Sequence, residues 1–131
     1  MKYLLDTHSL IWFLEDNPRL SRKAKLLIEN LENEIFVSTA SWFEISIKVT
    51  IGKLELPDSL AETMARSSRD EITTVSIKES HIIAYQKLLL LDQHRDPFDR
   101  LIIATAISED HTIITSDPKF GLYQDQINIA W

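Results

Sequence analysis

Short apolar runs alternate with longer periodic stretches along this chain, and that alternation limits the folds that it can adopt. The runs have the length and β-branched content of buried strands, whereas the stretches carry apolar residues at helical spacing. They predict strands near 2–5, 35–37, 72–75, 112–115 and 127–129, and helices near 7–15, 21–32, 40–50, 57–68, 78–91 and 96–109. Because helices of this length separate the strands, we expect an α/β fold in which helices cover both faces of a central, mainly parallel sheet.

No linker, repeat or low-complexity segment divides the 131 residues, so we predict a single domain over 1–131. Asp6 interrupts the apolar start of the chain and no run approaches ~20 apolar residues, so we expect neither a signal peptide nor a membrane-spanning helix. The absence of cysteine excludes a disulfide framework and is compatible with a reducing compartment. We therefore predict a cytoplasmic protein.

The net charge of −6 argues against a protein that holds nucleic acid through bulk electrostatic attraction. It does not exclude an enzyme that acts on nucleic acid, because bound divalent cations would reverse the sign of the charge locally. Part of the excess acid can belong to the site itself.

Four carboxylates lie at the edges of strongly apolar segments, where a charge is normally avoided: Asp6, Glu44, Asp99 and Asp117. A buried charge is costly unless it is paired or bound to a metal ion. Asp6 and Asp117 follow predicted strands, and Glu44 and Asp99 fall in the first turns of predicted helices. Because sites in parallel sheets form beyond the carboxyl ends of the strands, we expect the four to share one rim. An all-oxygen cluster favours Mg²⁺ or Mn²⁺ over zinc or copper.

Each of these acids also has a purely structural interpretation, which the sequence leaves open for any acid taken singly. Glu44 follows Ser41 by three residues, as in a capping box. Asp96-Pro97 resembles a helix start that would favour Asp99 in the first turn. The helices that carry Glu44 and Asp99 are apolar on nearly all sides, so we predict that both are central. Central helices favour a shared site over four unrelated caps.

Other kinds of site are less well supported. The four histidines lack the spacing of a zinc site, and no glycine-rich loop is present to bind a nucleotide phosphate. A phosphatase that used Asp6 as its nucleophile would want a second acid two residues later, where the chain has His8.

Four motifs resemble those of PIN-domain ribonucleases, in the form common among VapC-type toxins of bacterial toxin–antitoxin pairs. They follow the family's order over essentially the whole chain: Leu4-Leu5-Asp6-Thr7-His8, Ser38-x-x-Ser41-x-x-Glu44, His94-Arg95-Asp96-Pro97-Phe98-Asp99-Arg100-Leu101-Ile102-Ile103-Ala104 and Ile113-Ile114-Thr115-Ser116-Asp117. A lone Asp-Thr after a strand would carry no information, whereas the Asp-Pro-Phe-Asp-Arg block within this framework is fairly specific. The resemblance implies a three-layer α/β/α PIN-like fold around a mainly parallel sheet.

The resemblance further implies a Mg²⁺- or Mn²⁺-dependent endoribonuclease that cuts RNA and assembles as a homodimer. The residues that would bind the metal and carry catalysis are the four acids: Asp6, Glu44, Asp99 and Asp117. Thr7 and Ser116 would be polar helpers beside them. Arg100 would contact phosphate or pair with an acid. Asp96 would bind metal or cap a helix, and we favour the cap.

A toxin of this kind also implies a cognate antitoxin protein, a segment of which would pack over the acids. Trp12, Phe13 and Trp42 are candidates to line its groove. The sequence leaves one alternative open, namely a non-catalytic PIN-fold interaction domain whose acidic cluster is structural or vestigial.

Overall fold

The computed structural model describes all residues from 1 to 131. The strands are β1 (Lys2–Leu5), β2 (Glu34–Ser38), β3 (Ile72–Val75), β4 (Thr112–Ile114) and β5 (Ile129–Ala130). The α-helices are α1 (Thr7–Leu14), α2 (Arg22–Glu29), α3 (Thr39–Thr50), α4 (Leu60–Arg69), α5 (Glu79–Lys87) and α6 (Pro97–Glu109). A 3₁₀ helix covers Pro118–Tyr123.

The five strands form one sheet in the order β3-β2-β1-β4-β5, and every neighbouring pair is parallel. The first strand is therefore central, with Leu5 in register with Val37 on one side and Ile114 on the other. The carboxyl ends of β1, β2 and β4 consequently meet at one edge. This confirms the predicted parallel sheet and puts Asp6 at the middle of that edge.

Helices pack on both faces of the sheet, as the three-layer prediction requires. Alternation along β1 sends Leu5 into one apolar core, shared with α1, α2 and α3, and Leu4 into a second core, shared with α6. The neighbouring strand β4 divides in the same way, with Ile114 in the first core and Ile113 in the second. The structure is thus α/β/α, with two cores separated by the sheet. None of its helices has the length and apolarity needed to cross a membrane.

Several element boundaries differ from the sequence prediction, and for the end of α5 the structure shows the reason. The helix predicted to reach residue 91 ends at Lys87, where Leu88 turns to extended backbone. The guanidinium of Arg100 donates to the carbonyls of Leu88 and Leu89, so these groups are satisfied outside a helix. The last strand is also shifted, from 127–129 to Ile129–Ala130.

The prediction that both apolar helices are central is correct for α6 and wrong for α3. The middle of α6 is fully covered, since Ile102, Ile103 and Ala104 have no exposed surface. In α3, by contrast, only one face is buried, and three apolar side chains on its other faces are exposed: Phe43, Ile47 and Val49. A helix that is apolar all round does not reveal which of its faces the rest of the chain will cover.

Candidate active site

Asp6 is buried at the carboxyl end of the central strand, and protein donors hold both of its carboxylate oxygens. Its Oδ1 accepts the backbone N–H of Ser9 at 2.7 Å, which caps α1. Its Oδ2 accepts the hydroxyl of Thr115 at 2.6 Å. Burial nevertheless raises the pKa of Asp6, because desolvation outweighs these hydrogen bonds. Asp6 therefore caps α1 and is also a carboxylate whose ionised form is disfavoured by burial at the sheet edge.

Glu44 reaches the same edge from α3, although not from the position predicted for it. The helix begins at Thr39 with Ser38 as its cap, so Glu44 lies in the second turn and the predicted capping box with Ser41 does not form. Its Oε1 accepts the hydroxyl of Thr7 at 2.8 Å, and its Oε2 lies 3.1 Å from the ammonium of Lys48. Thr7 thus contacts one of the acids, as a polar helper would.

Asp99 lies in the first turn of α6, where Asp96 caps the helix by accepting the backbone N–H groups of Phe98 and Asp99. This confirms the interpretation of Asp96 as a cap. The pKa of Asp99 is raised to about 7, first by burial and then by the charges of four neighbouring acids: Asp96, Glu44, Asp6 and Asp117. The effect on Asp99 shows that the sheet edge gathers negative charge.

Asp117 follows β4 and caps the 3₁₀ helix by accepting the backbone N–H of Lys119. Its own N–H donates to the hydroxyl of Thr115, which also donates to Asp6. Thr115 is buried, whereas Ser116 is exposed and makes no side-chain hydrogen bond. Thr115, and not Ser116, is therefore the hydroxyl that links two of the acids. Thr115 was not among the predicted site residues, because the sequence pattern puts residue 115 at the end of the strand.

We call the four carboxylates at this edge the acid rim: Asp6, Glu44, Asp99 and Asp117. As placed, no three acid or histidine side chains are close enough together to hold a metal ion. The chemistry of the donors still fits a hard cation, because the rim offers oxygen atoms alone. Their mutual charge also raises the pKa of Asp99. The rim is a set of candidate ligands and not a preformed metal cage.

Arg100 pairs with no acid, and its burial does not favour the phosphate contact predicted for it. Its side chain is 3% exposed, donates to main-chain carbonyls and to the Tyr123 hydroxyl, and lies over the Tyr85 ring at 5.2 Å. The enclosed guanidinium already donates three hydrogen bonds inside the fold, so it is not presented to a phosphate in solvent. Arg100 instead organises the segment that precedes α6.

His94, the first residue of the third motif, contacts the rim, although it was not predicted as a site residue. The ring is buried, with Nδ1 2.9 Å from the Tyr123 hydroxyl and Nε2 3.4 Å from Asp99 Oδ2. Burial lowers the pKa of His94. Only the folded chain brings Tyr123 to this ring, since 29 residues separate the two in sequence.

Comparison with proteins of known structure supports the fold. The chain is similar to VapBC2 from Rickettsia felis, solved bound to a DNA fragment from the promoter, with a TM-score of 0.70, 18% identity, and coverage of 99% of this chain and 98% of the other. It is similar to VapBC-1 from nontypeable Haemophilus influenzae (TM-score 0.68, 18% identity, coverage 99% and 97%). It also resembles FitAcB from Neisseria gonorrhoeae (TM-score 0.63, 16% identity, coverage 97% and 95%).

Sequence comparison gives the family. Ribonuclease VapC22 of Mycobacterium tuberculosis is 32% identical over 116 residues, which are 88% of this chain and 87% of that protein. The PIN domain family matches residues 3–125, a span that includes every member of the acid rim. The chain therefore belongs to the PIN domain family.

Proposed function

We propose that this protein is a metal-dependent endoribonuclease that acts as the toxin of a toxin–antitoxin pair. The observation that carries the proposal is the acid rim at the carboxyl end of the central strand, where burial and then the charges of neighbouring acids raise the pKa of Asp99 to about 7. A relative with 32% identity is named a ribonuclease, which supports the same activity. The structural neighbours VapBC2 and VapBC-1 support the same kind of toxin.

The proposed ligands of the metal are the members of the acid rim. Asp6 would be central because it ends the middle strand, and Asp99 and Asp117 would complete the set. Glu44 would bind the metal or orient the attacking water. A bound Mg²⁺ or Mn²⁺ would supply an activated water and positive charge beside the phosphate. The hydroxyls of Thr7 and Thr115 hold Glu44 and Asp6 in place, and that is the contribution of the protein scaffold.

An antitoxin would be the protein partner, with a segment that packs over the acid rim. An arginine or lysine of that segment would pair with the carboxylates and compete with the metal. Trp42 does not suit the role predicted for it, because it is 3% exposed and its indole N–H donates to Thr74. Phe43, the next residue, is exposed. The homodimer and the cytoplasmic location stay predictions.

The experiment that tests the activity is RNA cleavage by purified protein in Mg²⁺ or Mn²⁺, beside an EDTA control and the variant Asp6→Asn. We expect metal-dependent cutting that the variant loses, with 3′-hydroxyl and 5′-phosphate ends on the products. Products with 2′,3′-cyclic phosphate ends would contradict metal-assisted hydrolysis, because that route needs no attacking water. Intact RNA with folded, metal-saturated wild type would favour the interaction domain.

A further inference from the structure

Three buried side chains form a hydrogen-bonded chain that ends on the acid rim. Arg100 Nη1 lies 3.1 Å from the Tyr123 hydroxyl, which lies 2.9 Å from His94 Nδ1. On the other side of the ring, His94 Nε2 lies 3.4 Å from Asp99 Oδ2. Each of the three is at most 3% exposed. The three side chains are therefore shielded from bulk solvent.

The polarity of this chain follows from what each group can donate. A guanidinium has donors only, so the Tyr123 oxygen must accept from Arg100. The Tyr123 proton is then free to go to His94 Nδ1, which in a neutral ring leaves the proton of the imidazole on Nε2. That Nε2–H faces Asp99 Oδ2. Arg100 thus makes the Tyr123 oxygen an acceptor, and donation by Tyr123 to Nδ1 is the arrangement that leaves Nε2–H for Asp99.

The far end of the chain is fixed to the backbone. Arg100 donates to the carbonyls of Leu88 and Leu89, and its guanidinium lies over the Tyr85 ring. The N–H of His94 also donates to the Leu91 carbonyl, which closes the turn that carries the imidazole. The ring of His94 is consequently held both by its backbone and by Tyr123.

We propose that His94 and Tyr123 are positioning residues for Asp99, with the Tyr123 hydroxyl fixing the His94 tautomer so that Nε2–H directs the Asp99 carboxylate. The distance of 3.4 Å is long for a hydrogen bond, so the contact sets the orientation of Asp99 more than it adds free energy. In metalloproteins, residues that hydrogen-bond to a metal ligand commonly orient that ligand, and His94 would act on Asp99 in the same way. It rests on the proposed function, since it takes Asp99 to be a ligand.

The tautomer can be tested without metal or substrate. We expect the ¹⁵N chemical shifts of the His94 ring in metal-free wild type to show protonated Nε2 and unprotonated Nδ1, with the resonances assigned from a His94→Asn sample. Tyr123→Phe removes the hydroxyl that donates to Nδ1 and should give a mixture of tautomers. Protonated Nδ1 in wild type, or an unchanged tautomer in Tyr123→Phe, would overturn the proposal.

The effect on the rim can be tested by Mn²⁺ affinity, measured calorimetrically on folded protein. In His94→Gln the amide nitrogen can take the place of Nε2 and still donate to Asp99, whereas in His94→Asn the amide is too short and reaches only toward Tyr123. We expect His94→Asn to bind Mn²⁺ about 10-fold or more weakly, and His94→Gln to stay within about threefold of wild type. The Mn²⁺ affinity of Tyr123→Phe should lie between those of the two His94 variants.

A purely structural role predicts a different result. Both His94 variants and Tyr123→Phe would then lower the melting temperature and leave the Mn²⁺ affinity of the folded protein unchanged, which would overturn the proposal alone. If His94→Asn does not fold, the comparison of Tyr123→Phe with wild type decides the question in the same way. Failure of wild type to bind Mn²⁺ would overturn the proposed metal-dependent function and this role with it.

Discussion

The two ends of α6 carry carboxylates with opposite acid strengths. Asp99, in the first turn, has a pKa raised to about 7 by burial and neighbouring acids. Glu109, the last residue, has a pKa lowered to about 2 by hydrogen bonds from Lys78 and His81. The helix dipole favours the ionised form at the first position and disfavours it at the second, which is the reverse of the observed order. Burial and partners therefore outweigh the dipole at both ends.

The difference shows which carboxylate is free to bind a cation. Glu109 Oε1 accepts from the Lys78 ammonium at 2.9 Å and from His81 Nε2 at 2.8 Å, so its charge already serves to join α5 to α6. Asp99 has no basic partner apart from the long contact to His94. Its charge is unbalanced among other acids. The same helix thus has a structural acid at one end and a candidate ligand at the other.

The largest expected effect is on RNA cleavage, where the two ends of α6 provide a matched pair. Asp99→Asn should lower the cleavage rate by about 10²–10⁴-fold, the range typical for loss of a group that takes part in the chemistry. Glu109→Gln is the same carboxylate-to-amide change on the same helix and should leave cleavage within about twofold. Rates are to be compared at saturating Mn²⁺. Equal losses in both variants would mean that α6 responds as a whole and that Asp99 has no special role.

The next effect is on stability without metal. The pKa of Asp99 is about 7 in the folded protein, whereas the ordinary value of 3.8 applies to the unfolded chain. Between pH 3.8 and 7 the folded protein therefore binds more protons than the unfolded chain. The free energy of unfolding of wild type should therefore fall as the pH rises from 4 to 7. Asn does not titrate, so the free energy of unfolding of Asp99→Asn should rise relative to that of wild type between pH 4 and 7. The difference should reach on the order of 2–4 kcal/mol at pH 7.

Urea unfolding of both proteins in EDTA at several pH values measures this difference. Adding Mn²⁺ should stabilise wild type more than the variant and so reduce the gap. A gap that does not change between pH 4 and 7 would show that neither the burial of Asp99 nor repulsion within the acid rim limits stability. We use Asp99 here because Asp6→Asn would also disturb the cap of α1.

The contribution of Glu109 to the free energy of unfolding should have the opposite pH dependence and should be smaller than that of Asp99. Its pKa is about 2 in the folded state and 4.5 in the reference, so its contribution to stability is present above 4.5 and lost as the pH falls toward 2. Glu109→Gln should destabilise the protein by about 1 kcal/mol at pH 7, after allowance for screening of a partly exposed pair. The variant and wild type should converge on acidification, as measured by urea unfolding. Divergence at low pH would contradict the assigned pairing.

This comparison also explains how far the sequence could predict the site. Asp99 can be predicted from local sequence because it opens a strongly apolar segment, and Asp96-Pro97 before it marks a helix start. The pairing of Glu109 with His81 spans 28 residues, and no local pattern reports it. The alternation of strands and helices predicted the parallel sheet, because period and element length are local properties.

Predictions failed where tertiary contacts decide. Arg100 has the same motif position whether it faces solvent or the core, and only the packing of Tyr123 and the Leu88–Leu89 carbonyls reveals that it is buried. A tertiary contact also decides that Thr115, and not the predicted Ser116, donates to Asp6. Which of two adjacent hydroxyls points toward Asp6 depends on the register of β4 against β1.

The smallest effect concerns Lys48, the one lysine paired with the acid rim. Its ammonium lies 3.1 Å from Glu44 Oε2 and occupies an oxygen that a metal would otherwise use. Lys48→Gln should lower the metal-free stability by about 0.5–1 kcal/mol, because Glu44 is buried and Lys48 is half-buried, one helical turn away. Because one positive charge is removed from beside the rim, Mn²⁺ affinity should rise about two- to threefold, measured by calorimetry. Lys53→Gln is the control, since Lys53 is exposed and has no acidic partner. Equal gains in both variants would reflect the net charge of the protein, whereas a gain confined to Lys48→Gln would place the cation beside Glu44.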